Sequence, residues 1–179
     1  MVEHILAWHG LGWLFWAVWW TFIAGGIHQA QPLQPPLSRL LQVLLIFVGF
    51  VLLNQYDPSE YAWEQILSLL LLVGGLAGMV QSRRVLGAAF TDRSGQLDPG
   101  PLATCGIYRR VRHPLCSFFV LAFCGTALAH GWQALWTTIP VLAAFVWKAR
   151  QEENTLQARF GTRWTDYSNH TARMVPGIW

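Results

Sequence analysis

Residues 115–147 read LCSFFVLAFCGTALAHGWQALWTTIPVLAAFVW, without one Asp, Glu, Lys or Arg. Two apolar runs, Leu115–Ala129 and Trp132–Trp147, are joined by His130-Gly131 alone, which predicts a tight turn between two helices. Polar stretches bracket this hairpin: Gly106-Ile107-Tyr108-Arg109-Arg110-Val111-Arg112-His113-Pro114 before it, and Lys148-Ala149-Arg150-Gln151-Glu152-Glu153-Asn154 after it. A hairpin returns the chain to the membrane face it left. Arg112, His113, Glu152 and Glu153 are therefore expected to meet at one face, although they lie far apart in the chain.

The remainder of the sequence reads as scaffold for that meeting point. Of the 179 residues 54% are hydrophobic and 12% charged, where soluble domains carry roughly a quarter charged residues. This composition predicts an all-α integral membrane protein. Ile5–Ile27 is long enough to span, because about 20 residues cover a ~30 Å hydrocarbon core. No basic region precedes it and no small-residue cleavage site follows, so it reads as a span and not as a cleaved signal. Trp13, Trp16 and Trp20 share one face of it. Gln29–Pro36 forms a loop, since proline lacks the amide donor. Segment two runs from about Leu37 to Leu53. Asn54–Tyr61 is a polar turn in which Ser59 can cap the next helix. Segment three, about Ala62–Val80, carries Gly74 and Gly78, a small-xxx-small pair that permits close helix approach. Val85–Cys105 reads as the longest polar connection. The expected organisation is residues 1–82 as three scaffold spans, then residues 83–179 as a functional half containing the loop, hairpin and tail. Cys105, Cys116 and Cys124 have neither metal nor disulfide spacing.

Five spans place Met1–His4, Asn54–Tyr61 and His130-Gly131 on one side, and these hold no Lys or Arg. All twelve basic residues fall on the other side. The positive-inside rule makes that side cytoplasmic, with the N-terminus outside and the C-terminus inside. Basic residues so arranged mark orientation in membrane lipid, not a nucleic-acid partner. Spans four and five are short: sixteen residues rise only ~24 Å. Their polar ends are drawn inward or the bilayer thins.

Arg112 and His113 precede a helix opened by Pro114, where an anionic group is favoured. Glu152 and Glu153 end the returning helix, with Arg150 beside them. Guanidinium and carboxylate together suit a zwitterion such as an amino-acid moiety. The same spacing serves equally an Arg–Glu salt bridge that closes the hairpin.

Leu102–Pro114, LATCGIYRRVRHP, resembles the first half of the signature of the isoprenylcysteine carboxyl methyltransferase family, whose motif the phospholipid methyltransferases share. Lys148–Pro176, KARQEENTLQARFGTRWTDYSNHTARMVP, resembles its second half. The likeness is to the small bacterial branch. It implies a multi-pass enzyme of the inner membrane that takes S-adenosylmethionine from the cytoplasm, releases S-adenosylhomocysteine, and methylates a lipophilic or lipidated acceptor. It further implies a cofactor pocket from Gly106, Tyr108, Arg112, His113, Pro114, Glu152 and Glu153, with Arg112 and Glu153 at the chemistry. Departures from the pattern fall at Cys116, where relatives carry tyrosine, at Phe118 near the usual glycine, and at His170, where many carry arginine. Cys116, Arg150 and His170 are accordingly the expected acceptor-facing residues. A sterol-type membrane reductase using NADPH, and a non-catalytic assembly factor on an enzyme scaffold, are the rival readings.

Overall fold

The computed structural model describes residues 8–15, 17, 36–91 and 102–177, with side-chain surroundings omitted at 36–39 and 88–91. The regular structure among them is helical, with no named strand and one isolated parallel bridge between Val111 and Ala172. The N-terminal stretch at residues 8–15 is helical; the rest of the expected first span, with Trp16 and Trp20, lies outside the described residues. Four longer helices follow: α1 (Pro36–Leu53), α2 (Ala62–Thr91), α3 (Pro114–Leu128) and α4 (Thr138–Phe160). A short α5 (Thr162–Asn169) and an irregular tail complete the chain.

The hairpin forms as the sequence predicts. Pro114 is the first residue of α3, its missing N–H costing nothing there. Gly131 turns the chain at φ +95°, a backbone conformation that L side chains rarely adopt. The return run begins differently from expectation: Trp132–Thr137 is a 3-10 helix and α4 proper starts at Thr138. α2 also departs, continuing to Thr91 where the sequence suggested a loop from Val85. Val85-Leu86-Gly87-Ala88-Ala89-Phe90 contains no proline, and a single glycine costs only about 1 kcal/mol in a helix. α2 therefore runs unbroken through the expected division at residue 82.

By length and composition one described helix, residues 62–87, is long and apolar enough to cross a membrane; Leu40–Leu53 and Pro114–Leu128 are shorter apolar helices. α2 and α3 pack at backbone distance. A Cβ at Gly75 would stand 2.6 Å from Ala122 N, one at Gly125 2.6 Å from Ser68 O, and one at Gly78 2.3 Å from the Phe118 ring. The close-packed pair is thus Gly75 and Gly78, whereas Gly74 has nothing within 4 Å and faces away. Gly75 sits one position beyond the expected residue, about 100° round the helix. α1 packs on α4, and between the layers Phe123, Val141, Phe145 and Cys116 form the core with Trp13 and Phe50 against it. Trp13 meets Phe50 edge-on at 5.6 Å and Phe119 at 4.9 Å, a geometry favourable to aromatic quadrupoles. This core fixes the two ends of the hairpin relative to each other, and with them the charged residues at the polar end.

Candidate functional site

The polar stretch before the hairpin is shaped by its backbone. Gly106 opens a 3-10 turn, Gly106–Arg109, with φ +56° and with Val85 of the α2 extension 3.1 Å from where a Cβ would be. The turn buries Tyr108. Beyond it the chain runs beside the C-terminal tail. Arg112 N donates to Ala172 O at 2.8 Å, His113 N to Arg173 O at 3.0 Å, and Ala172 N to Arg110 O at 3.1 Å. Ser117 Oγ ties the first turn of α3 to Met174 O at 2.6 Å, and Tyr167 Oη donates to Tyr108 O at 2.7 Å. The tail is stitched to the motif mainly through main-chain atoms.

On this frame the charges converge. Glu152 and Glu153, neighbours on α4, project about 100° apart and take opposite sides of His113. His113 Nδ1 is 3.4 Å from Glu152 Oε2, and Nε2 is 3.3 Å from Glu153 Oε1. Lys148, one turn earlier, reaches Glu152 Oε1 at 2.7 Å. Glu153 also receives Arg173, Nε at 3.0 and 2.9 Å and Nη2 at 2.8 Å. Arg112 Nε stands 3.2 Å from Glu153 Oε1 without the alignment of a hydrogen bond, while its Nη1 donates to Ser168 O at 2.6 Å.

The electrostatics follow from burial and pairing. Desolvation alone would raise both carboxyls, but Lys148 and His113 hold Glu152 at about 2, and His113, Arg173 and Arg112 hold Glu153 at about 2. Burial works against the His113 imidazolium, yet the two glutamates outweigh it and raise its pKa. A carboxylate only accepts, so an imidazole facing one through each nitrogen satisfies both only when protonated. Burial likewise pulls Lys148 down, and Glu152 more than restores it. Burial pushes the Tyr167 hydroxyl up to about 12. Three permanent cations, Lys148, Arg112 and Arg173, thus face two carboxylates, and His113 adds to the positive side. Among the described residues the cluster carries more positive than negative charge, which complements an anionic group, with polar atoms ordered before any ligand arrives.

Of the residues singled out from the sequence, Arg112, His113, Glu152 and Glu153 are brought together, and Tyr108 and Pro114, the latter directly after His113, are both buried. Gly106 shapes the turn. Cys116 is buried in the helical core beside Met174 and Phe145. Arg150 and His170 are exposed, and His170 Nδ1 is bonded to Asp166 O within its own helix end at 2.7 Å. Phe118 is accommodated by Gly78 of α2, so its bulk is absorbed by helix packing. Lys148 and Arg173 were not singled out. Lys148 was signalled by its i, i+4 spacing to Glu152, and Arg173 by standing three residues before Pro176.

A family model described as phospholipid methyltransferase matches residues 63–163. No curated protein matches the chain. Among solved structures, a eukaryotic intramembrane Ras methyltransferase, the isoprenylcysteine carboxyl methyltransferase, superposes with a TM-score of 0.50 at 19% identity. The match covers 82% of this chain and 55% of that one. The chain spans about half the length of that protein, and the likeness is one of fold.

Proposed function

The chain belongs to the phospholipid methyltransferase family, and from that membership we propose that it is a membrane-embedded methyltransferase using S-adenosylmethionine. The observation that carries this reading is the buried cluster at the hairpin's polar end, where a zwitterion's two charges both find complements. The excess of Arg112 and Arg173 over Glu153 receives the amino-acid carboxylate. The ammonium is received by Glu152 or Glu153 in exchange for one of its present cations. When bound, the cofactor supplies an electrophilic methyl group on a sulfonium.

What the chain contributes is placement. The 3-10 turn that Gly106 opens buries Tyr108, and Pro114 starts α3 directly after His113. His113, held between two glutamates, is protonated and serves as a positioning cation. A proton removed from an amine acceptor would require a base, and neither glutamate is free to act as one while paired as described. A carboxylate or thiolate acceptor needs no base; orientation and exclusion of water supply the rate. The geometry therefore favours acceptors that arrive already anionic. Buried Cys116, close enough to Lys148 and Glu152 to interact with them electrostatically, stays a candidate for the acceptor side, whereas His170 is exposed and Phe118 packs against Gly78. Residues 83–179 are the functional half of a five-span chain whose site faces the cytoplasm, a reading the one-sided basic residues support.

Saturation of Glu153 favours a second reading, in which the cluster is purely a structural latch. Incubating the purified protein with labelled S-adenosylmethionine and a native lipid extract separates the two. Labelled product that disappears in Glu153→Gln, while the variant keeps its melting temperature, supports the enzyme. No labelled product leaves the latch.

A further inference from the structure

The opposite end of the bundle holds a second buried polar cluster, and it is built of oxygens. Glu64, in the first turn of α2, is 1% exposed, and Gln65 beside it 3% exposed. The Ser59 hydroxyl donates to Glu64 Oε2. Gln65 Nε2 donates to Ser59 O at 2.7 Å and to Ala129 O at 3.0 Å, and Ser59 N donates to Ala129 O at 2.9 Å. A Cβ on Gly131 would lie 2.9 Å from Gln133 Oε1 and 3.7 Å from Glu64 Oε2. The 54–61 loop, the head of α2 and the end of α3 thus meet at Ser59, Glu64 and Gln65, with exposed Gln133 at the rim beside Gly131.

Two of them, Glu64 Oε1 and Gln65 Oε1, are buried with no hydrogen-bond partner among the described residues. Glu64 also has no ion-pair partner there. Nearby imidazoles are engaged elsewhere: His9 with Thr126 at 3.3 Å and Ser68 at 3.2 Å, His130 with Thr126 O at 3.1 Å. A buried carboxylate left so is strongly disfavoured. The component that completes it must accept oxygen lone pairs and carry positive charge. A carboxylate, amide oxygens, a hydroxyl and a backbone carbonyl are the donors that hard cations take. Charge balance chooses the valence: against one carboxylate a monovalent ion leaves the buried group neutral, and a divalent ion leaves it charged. Asp57 and Glu60 on the same loop are exposed, and that loop has no Lys or Arg, a field that concentrates cations.

We infer that Ser59, Glu64, Gln65 and Gln133 form a binding site for a monovalent alkali cation at the end of the bundle opposite Glu153. This site stands independently of the methyltransferase reading. The test is equilibrium binding of radiolabelled sodium, and of radiolabelled rubidium as a potassium surrogate, to the purified protein in detergent. The expected result is saturable binding of one ion, displaced by the unlabelled ion but not by N-methylglucamine, and weakened at least tenfold in Glu64→Gln. The melting temperature should rise with the same ion at constant ionic strength in wild type only. Absence of saturable binding to wild type overturns the site, whether or not the variant folds. A melting temperature of wild type indifferent to both ions also overturns it.

Discussion

Arg173 lies in an irregular tail, yet its guanidinium forks onto Glu153 of α4, with Nε 2.9 Å and Nη2 2.8 Å from Oε2. Forked pairs of this kind are among the stronger charge-assisted contacts. Because the backbone of residues 172 and 173 also bonds to Arg112 and His113, one residue couples the tail, the motif before the hairpin and the helix after it.

Arg173→Ala should lower the melting temperature and weaken S-adenosylhomocysteine binding. A charge-assisted hydrogen bond is worth about 1.5–3 kcal/mol, or roughly tenfold to a hundredfold in affinity. Arg173→Lys keeps the charge without the fork and should recover only part of the loss. Calorimetry in detergent on both variants checks this; equal behaviour of lysine and alanine would show that the fork is immaterial.

Stability should fall on both sides of a pH plateau. The Glu152 and Glu153 carboxyls sit at about 2, below their ordinary 4.5. Their contribution is present above about pH 4.5 and lost as pH falls toward 2. The His113 pKa is raised above 6.5, so its contribution is present below about pH 6.5 and lost as pH rises through the folded value. Melting curves of wild type and His113→Gln across pH should differ on the alkaline limb, and the acid limb of the variant should move to higher pH because His113 helps hold both glutamates down. An unchanged alkaline limb in the variant would remove His113 from the account.

Gly78→Ala should destabilise the α2–α3 contact by about 1–3 kcal/mol, the usual range for overpacking, because its Cβ would fall 2.3 Å from the Phe118 ring. Gly74→Ala, with nothing within 4 Å, should be neutral or slightly stabilising. Phe118→Ala combined with Gly78→Ala should recover part of the loss. Thermal unfolding of the three variants reads this directly.

The hairpin was legible because its signals are local: two charge-free runs, a two-residue turn and a proline at the first helical position. The meeting of Arg112 and His113 with Glu152 and Glu153 followed from topology alone. What sequence reading missed depends on neighbours distant in the chain. Whether Gly74 or Gly75 faces α3 is decided by a rotation of about 100°, which spacing does not fix. Phe118 reads as a bulky intruder until Gly78 is seen opposite it. Arg173 sits beyond the last helix, where no periodicity points its side chain. The α2 extension past Arg84 is hidden by charge, because Arg83-Arg84 end the apolar run without ending the helix.

Orientation is open to direct labelling. Ser59 is buried, so the probe belongs at exposed Glu60. In a Cys105→Ser background, Glu60→Cys should react with an impermeant maleimide in intact cells, and a reporter after Trp179 should be cytoplasmic. Reaction only after permeabilisation would invert the five-span arrangement.

Titrating S-adenosylhomocysteine into the purified protein in a calorimeter decides whether the charged end of the hairpin is a cofactor site. Wild type should bind, Glu153→Gln should lose tenfold to a hundredfold in affinity at about 1.5–3 kcal/mol, and Gly74→Ala should be unchanged. Absence of binding to folded wild type, or equal affinity in Glu153→Gln, would contradict a cofactor site there.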